Sequence, residues 1–202
     1  DYYGRWKAQH YFTVKSFDDI LVSPIEKSKG LLEVYAVSDR LKQTSGTLTV
    51  RVLKLTGGTV KQVVKKVNVP ANTSTPIWTG DMDELLGGLS RTDVVVNVNY
   101  KDKGGREYTN NCFLAKQKDM RYPEARIKKE IIPVEGGYEV ILSSDVFARG
   151  VFVSIEGDTD NFVSDNYMDL LPGEPVKVRV NTSLASSPFT ANLKVVSFSE
   201  MY

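Results

Sequence analysis

The sequence predicts an all-β chain: two β-sandwich domains in tandem, preceded by a short N-terminal helix. Three observations predict it. Short apolar runs alternate with polar residues at a period of two, the mark of half-buried strands. Turn residues separate these runs at spacings of about 8–12 residues. No helical stretch lies between them that could serve as the crossover of a parallel sheet. A length of 202 residues suits two small domains.

The helix comes first. Trp6, His10, Val14 and Phe17 recur at spacings of three and four, and Tyr3 and Tyr11 widen that stripe. Gly4 weakens the first turn. The stripe needs a partner, either the sandwich that follows or a domain that would precede it. The helical segment is taken as residues 1–18.

The first sandwich is expected over residues 19–117. Leu48, Val50 and Val52 form an inward face, and Val94, Val96, Val98 and Tyr100 form a second. Asn97 and Asn99 are expected to point to solvent. Gly57 and Gly58 mark one hairpin tip, and Lys103, Gly104 and Gly105 another. Asp81 is placed to cap a short helical turn that ends at Gly87. Alternation lapses between Lys118 and Pro123, where Asp119, Arg121 and Pro123 suit a linker. The second sandwich, residues 122–202, then shows strands over 125–132, 138–143, 151–155, 176–180 and 193–198, with a turn at Gly136 and Gly137. About six or seven short strands per half is the pattern of an immunoglobulin-like sandwich.

Composition narrows the function. Apolar residues make up 41% and charged residues 25%, enough for real cores under a soluble surface. The formal net charge of +1 argues against a nucleic-acid groove or a binding face for anionic membranes. The lysines from Lys61 to Lys66 are interrupted by Val63 and Val64 and read as the wet face of a strand. One cysteine, Cys112, excludes an internal disulfide and a cysteine-based zinc site. No apolar run of membrane-spanning length is present. The chain starts at Asp1 without a signal peptide, the expectation for a processed chain or a fragment.

Residues that could carry chemistry are few. His10 is the only histidine, so every histidine-dependent triad or pair would draw on it, and no partner stands beside it in sequence. Asp158, Asp160, Asp165 and Asp169, with Asn161 and Asn166, could form an oxygen-rich calcium loop, but Phe162 stands where the D-x-D-x-D-G pattern needs its next acid. The plainer expectation is a polar loop with Asx turns. Paired acids for glycoside hydrolysis need a facing geometry that spacing does not supply. Among the aromatics, Trp78, Tyr108, Tyr122 and Tyr138 could stack on sugar rings, with Trp78 and Tyr138 as the possible carbohydrate contacts; core packing is the competing role. The glycine pairs lack phosphate-loop spacing.

Two longer segments are more specific. Residues 1–11, DYYGRWKAQHY, resemble the last helix of the catalytic (β/α)8 barrel in glycoside hydrolase family 2 β-mannosidases. Residues 162–174, FVSDNYMDLLPGE, are similar to a signature of the C-terminal immunoglobulin-like domain of those enzymes, with Met168 where the family usually has Phe. Residues 30–39 and 45–50 are similar to the sandwich domain before it. In the signature, Phe162, Asp165, Asn166, Tyr167, Asp169, Pro172 and Gly173 are expected to define the fold. Pro172 and Gly173 suit a type II turn, the acidic and amide side chains can cap backbone groups, and Tyr167 is a candidate corner tyrosine.

The resemblance implies an end of a barrel followed by two accessory sandwiches of a retaining exo-acting glycosidase, one that removes terminal β-D-mannose. The family's two catalytic glutamates lie on barrel strands before that last helix, so neither maps here. No catalytic, cofactor-binding or metal-binding residue is therefore expected, and no cofactor. The implied partner is the parent's barrel, against which Tyr3, Trp6, His10, Tyr11 and Phe17 would pack; an oligosaccharide is a further candidate. A periplasmic, secreted or lysosomal parent fits the resemblance. The alternatives are a pair of carbohydrate-binding modules, or accessory domains of another family 2 glycosidase such as a β-galactosidase or exo-β-glucosaminidase.

Overall fold

The computed structural model describes residues 6–27 and 30–200. Tyr3 and its neighbours in the first motif lie outside the described residues. Among the described residues, strands dominate and the helices are short.

Residues Val14–Arg121 form one compact unit. Its first sheet has the order β1-β2-β5, with β1 Ile20–Lys27, β2 Leu31–Ser38 and β5 Thr73–Asp81. Its second sheet has the order β4-β3-β6-β7, with β3 Thr44–Lys54, β4 Thr59–Val69, β6 Val94–Asp102 and β7 Glu107–Cys112. Every pairing is antiparallel. Ile20, Val22, Leu32, Val34, Leu48, Val50, Val96 and Val98 close the core, each with at most 1% of its surface exposed. Burial of one such side chain contributes about 1.5–3 kcal/mol. The β3–β4 hairpin turns at Gly57 and Gly58, both in the left-handed region with φ of 103° and 88°. Helix α2, Met82–Leu86, is capped by Asp81, whose carboxylate accepts from the amides of Asp83 and Glu84.

Asn97 departs from expectation. It lies on the outer face of β6, yet only 2% of it is exposed. Its carbonyl oxygen accepts from Arg51 on β3, and its amide donates to Thr109 and Asn111 on β7. The flanking strands supply polar side chains long enough to cover it, so a polar outward residue becomes buried and fully paired.

The second unit joins Tyr122 onward with the residues as far as Thr13. One sheet has the order β11-β13-β9-β8, with β8 Lys128–Val134, β9 Gly137–Ser143, β11 Phe162–Val163 and β13 Val176–Asn181. The other has the order β12-β10-β14, with β10 Ala148–Ile155, β12 Met168–Leu170 and β14 Leu193–Val196. Val140, Leu142, Val151, Leu170, Val178, Val180 and Phe189 form its core. Phe189 comes from helix α3, Ser186–Asn192, an element that strand alternation does not foretell.

Helix α1 spans Ala8–Ser16. Its partner corrects one expectation: Trp6 and Tyr11 rest on the second sandwich, not on the first sandwich that follows them in sequence. The predicted stripe is also displaced. Tyr11 is the buried residue of the helix, whereas Val14 is 55% and Phe17 83% exposed.

Candidate functional site

The two sequence motifs, one near each end of the chain, meet on the second sandwich. The loop between β11 and β12 builds the receiving surface. Asn166, 5% exposed, faces Val153 on β10. Its carbonyl oxygen accepts from the Val153 amide at 2.8 Å, and its amide donates to the Val153 carbonyl at 2.8 Å. One side chain thus satisfies both backbone groups, as a neighbouring strand would. The same oxygen accepts from the Tyr167 amide, and Asp165 accepts from the Asn166 amide. These bonds hold Tyr167 at φ 56°, a left-handed conformation unusual for a bulky residue. The chain turns there, and the half-buried Tyr167 ring lies 5.0 Å from that of Phe152.

The rest of the signature fixes the corner. Asp169 accepts from the Gly150 amide and pairs with Arg149 at 2.6 Å. Residues 171–174 form a turn closed by the Glu174 amide on the Leu171 carbonyl, with Gly173 at φ 76°. Pro172 and Gly173 occupy its second and third positions, the type II arrangement. The Gly173 amide also donates to Ser144 at 2.7 Å, which ties the turn to the loop before β10.

Onto this surface the N-terminal segment closes as an aromatic clasp. The Tyr11 hydroxyl donates to the Val163 carbonyl across 152 positions of sequence, at 3.2 Å and buried. Burial also raises the Tyr11 phenol above its ordinary value, so the donating form persists into alkaline solution. Trp6 meets Phe162 edge-on, with centroids 5.0 Å apart and planes at 88°. Trp6 also packs on Tyr11 and His10, and Tyr11 lies near Tyr167. Each such ring pair contributes about 0.5–1.5 kcal/mol beyond its buried area. Beside the clasp a cleft of about 410 Å³ remains, lined by Trp6, Phe152, Ile155, Asp158, Asn161 and Phe162 among others.

The remaining sequence candidates are dispersed. Tyr138 is 5% exposed, its ring is stacked on Phe189 at 3.9 Å, and its hydroxyl donates to the Leu184 carbonyl. It therefore presents no ring face to a sugar. Trp78 is half-buried against the first core, and its indole lies over Gly80, where a Cβ would collide with it. His10 is exposed, with its ring 4.0 Å from that of Trp6. The aspartates of the 158–169 loop do not converge: Asp158 accepts from the Asp160 amide and from Thr182, while Asp165 and Asp169 bind the groups named above. Among the described residues, no group of three His, Cys, Asp or Glu side chains is placed to hold a metal ion.

A second polar cluster, which pattern reading missed, lies in the first sandwich. Arg40 pairs with Asp19 at 2.7 Å and with Asp102 at 2.9 Å, and donates to Tyr108. Tyr108 in turn donates to Asp19. Burial works against the Asp19 carboxylate, but hydrogen bonds from Arg40 and Tyr108 outweigh it and hold Asp19 at about 2. Burial, together with the Asp19 charge, pushes Tyr108 up to about 12. The cluster fastens the start of β1 to the β6–β7 hairpin. Its members stand far apart in sequence and show no motif.

Comparison with known proteins places these features in a family. Residues 30–119 match the Mannosidase Ig/CBM-like domain, and residues 122–201 match an Ig-fold domain of mannosidases. Beta-mannosidase A of Neosartorya fischeri is 35% identical over 187 residues, which cover 86% of this chain and 20% of that protein. Beta-mannosidase A of Aspergillus fumigatus is 24% identical over 195 residues, covering 88% and 21% respectively. The chain thus spans about a fifth of the length of these relatives. In fold it is similar to a beta-D-mannosidase from Dictyoglomus thermophilum, with a TM-score of 0.82 and 22% identity over 98% of this chain and 24% of that one. It is also similar to an exo-chitosanase from Amycolatopsis orientalis, with a TM-score of 0.61 and 14% identity over 93% and 26%. Two tandem immunoglobulin-like domains, both family matches and the curated relatives agree: the chain belongs to the accessory immunoglobulin-like region of the glycoside hydrolase family 2 β-mannosidases.

Proposed function

We propose that this chain is a non-catalytic accessory region of a β-mannosidase-like enzyme, and that its work is to hold the end of the catalytic domain in place. The enzyme as a whole would release terminal β-D-mannose. The observation that carries the reading is the clasp: the segment resembling the last barrel helix is gripped by the signature of the second sandwich through Trp6, Tyr11, Phe162 and Val163. Such a grip links the end of a barrel to a sandwich that follows only after a whole intervening domain.

The dispersed titratable groups support the non-catalytic half of the proposal. His10 touches an indole and has no carboxylate bonded to it among the contacts above. The cluster acids Asp19 and Asp102 are engaged by Arg40. General acid–base work on a glycoside needs two carboxyl groups facing one cleft. Among the described residues, Asp158 is the one carboxylate on the lining of the cleft beside the clasp.

The test is an assay of the purified chain on p-nitrophenyl β-D-mannopyranoside. No release of nitrophenol above the buffer rate is expected. Steady turnover proportional to chain concentration would overturn the proposal.

A further inference from the structure

We infer that the surface formed by Phe162, Val163, Asn166 and Tyr167 is a receptor for an aromatic helical segment, and that it holds the Trp6–Thr13 segment of this chain as a separable ligand. The inference rests on the accessory reading above and adds the nature of the contact: non-covalent recognition strong enough to stand without the intervening chain.

Three observations carry it. First, the segment groups with the second sandwich, although the residues that continue it, from Val14 on, group with the first. Its contacts, not its sequence neighbours, decide where it lies. Second, the recognition is chemically specific. A tyrosine hydroxyl reaches a buried backbone carbonyl, and an indole meets a phenyl ring edge-on. The acceptor is the carbonyl of Val163, the last residue of the short strand β11, which gains a donor from outside the sandwich. Third, the receiving loop is braced before the segment arrives. Asn166 is fixed to Val153 by two bonds and Tyr167 is fixed against Phe152, and none of these contacts involves residues 6–13. A braced surface loses little freedom on binding, which favours affinity. Tyr11, only 7% exposed, supplies the anchor of a small hot spot.

The segment fits the part of ligand on its own side too. It has two aromatic anchors, Trp6 just before helix α1 and Tyr11 within it, and both contact the second sandwich, because the non-helical stretch before Ala8 lets Trp6 come round to the side that Tyr11 buries. Grooves that take helices are read through anchors of this kind.

The experiment uses the full chain with a specific protease site inserted between Phe17 and Asp18, a junction where Phe17 is 83% exposed. After cleavage, native mass spectrometry and gel filtration at micromolar concentration report whether the segment stays. Retention is expected, with Trp6 fluorescence unchanged in a Trp78→Phe background. Tyr11→Phe, made in the cleaved chain, should weaken retention by about five- to tenfold, the worth of one net hydrogen bond. Phe17→Ala should leave it unchanged. Loss of the segment with amide exchange at Val153 and Tyr167 unaltered would overturn the inference. So would unfolding of the second sandwich on cleavage, because the segment would then be part of its core and not a ligand. Either failure leaves the hydrolysis assay of the accessory reading untouched, so the two can fail separately.

Discussion

Replacing Asn166 by alanine would strip the amide and carbonyl of Val153 of their partners in a place water does not reach. Unpaired buried backbone groups cost about 1–3 kcal/mol each. The Asn166→Ala chain should therefore lose about 2–4 kcal/mol of stability in the second sandwich, seen as an earlier unfolding midpoint in urea. At the same scale, Asp19 gives the first sandwich a pH signature. Its folded value of about 2 lies below its ordinary 3.8. The ionised form is thus favoured by folding, and its contribution is complete above about pH 4 and disappears as pH falls toward 2. Tyr108 behaves oppositely: held at about 12 against an ordinary 10.0, it favours the folded state below pH 10 and loses that effect as pH rises toward 12. Arg40→Met should flatten the acid limb between pH 4 and 2, measured by urea unfolding across that range. An acid limb identical to that of the parent chain would count against the cluster. The Arg40 cluster was not legible from sequence. Asn97 read as a wet polar residue because its covering partner Arg51 is brought up by pairing across strands, whereas Asn166 was legible as a backbone cap from the signature it belongs to, though its partner Val153 was not. Tyr138 read as a possible sugar contact because the helix that supplies Phe189 carries no strand signal.

Elements were more legible. β3, β9 and β13 follow their alternation because one face of each meets a core and the other is more open to water. Turns were legible for a different reason: Gly57, Gly58, Gly136 and Gly173 sit at positive φ, where other residues are strained. Gly137 adds close approach to its positive φ, since a Cβ there would collide with the Val180 carbonyl oxygen. Gly137→Ala should push β9 and β13 apart at Asn181 and lower stability by at least about 2 kcal/mol. Scanning calorimetry would show this as a lower second-sandwich transition. Equal stability would mean the hairpin can shift to make room. The N-terminal helix was legible as a helix but not in its partner. Periodicity picked the Trp6, His10, Val14 and Phe17 stripe, while the clasp uses Trp6 and Tyr11. A stripe says that a helix has an apolar side, and only the far-off partner decides which residues of it are covered.

At the scale of the whole molecule, the family resemblance supplied what periodicity did not: it joined two segments that stand 150 or so positions apart and gave both a place in one enzyme. The structure adds that they touch. The clasp makes the second sandwich, not the adjacent first, the one whose stability depends on the chain's beginning. Hydrogen exchange on the chain shortened by residues 1–13 tests this most directly. The clasp predicts faster exchange at Phe162 and Val163, where the segment seats, with the braced Val153 and Tyr167 little changed and Val50 and Val98 in the first sandwich unchanged. Unchanged protection in the second sandwich, or loosening confined to the first, would contradict it.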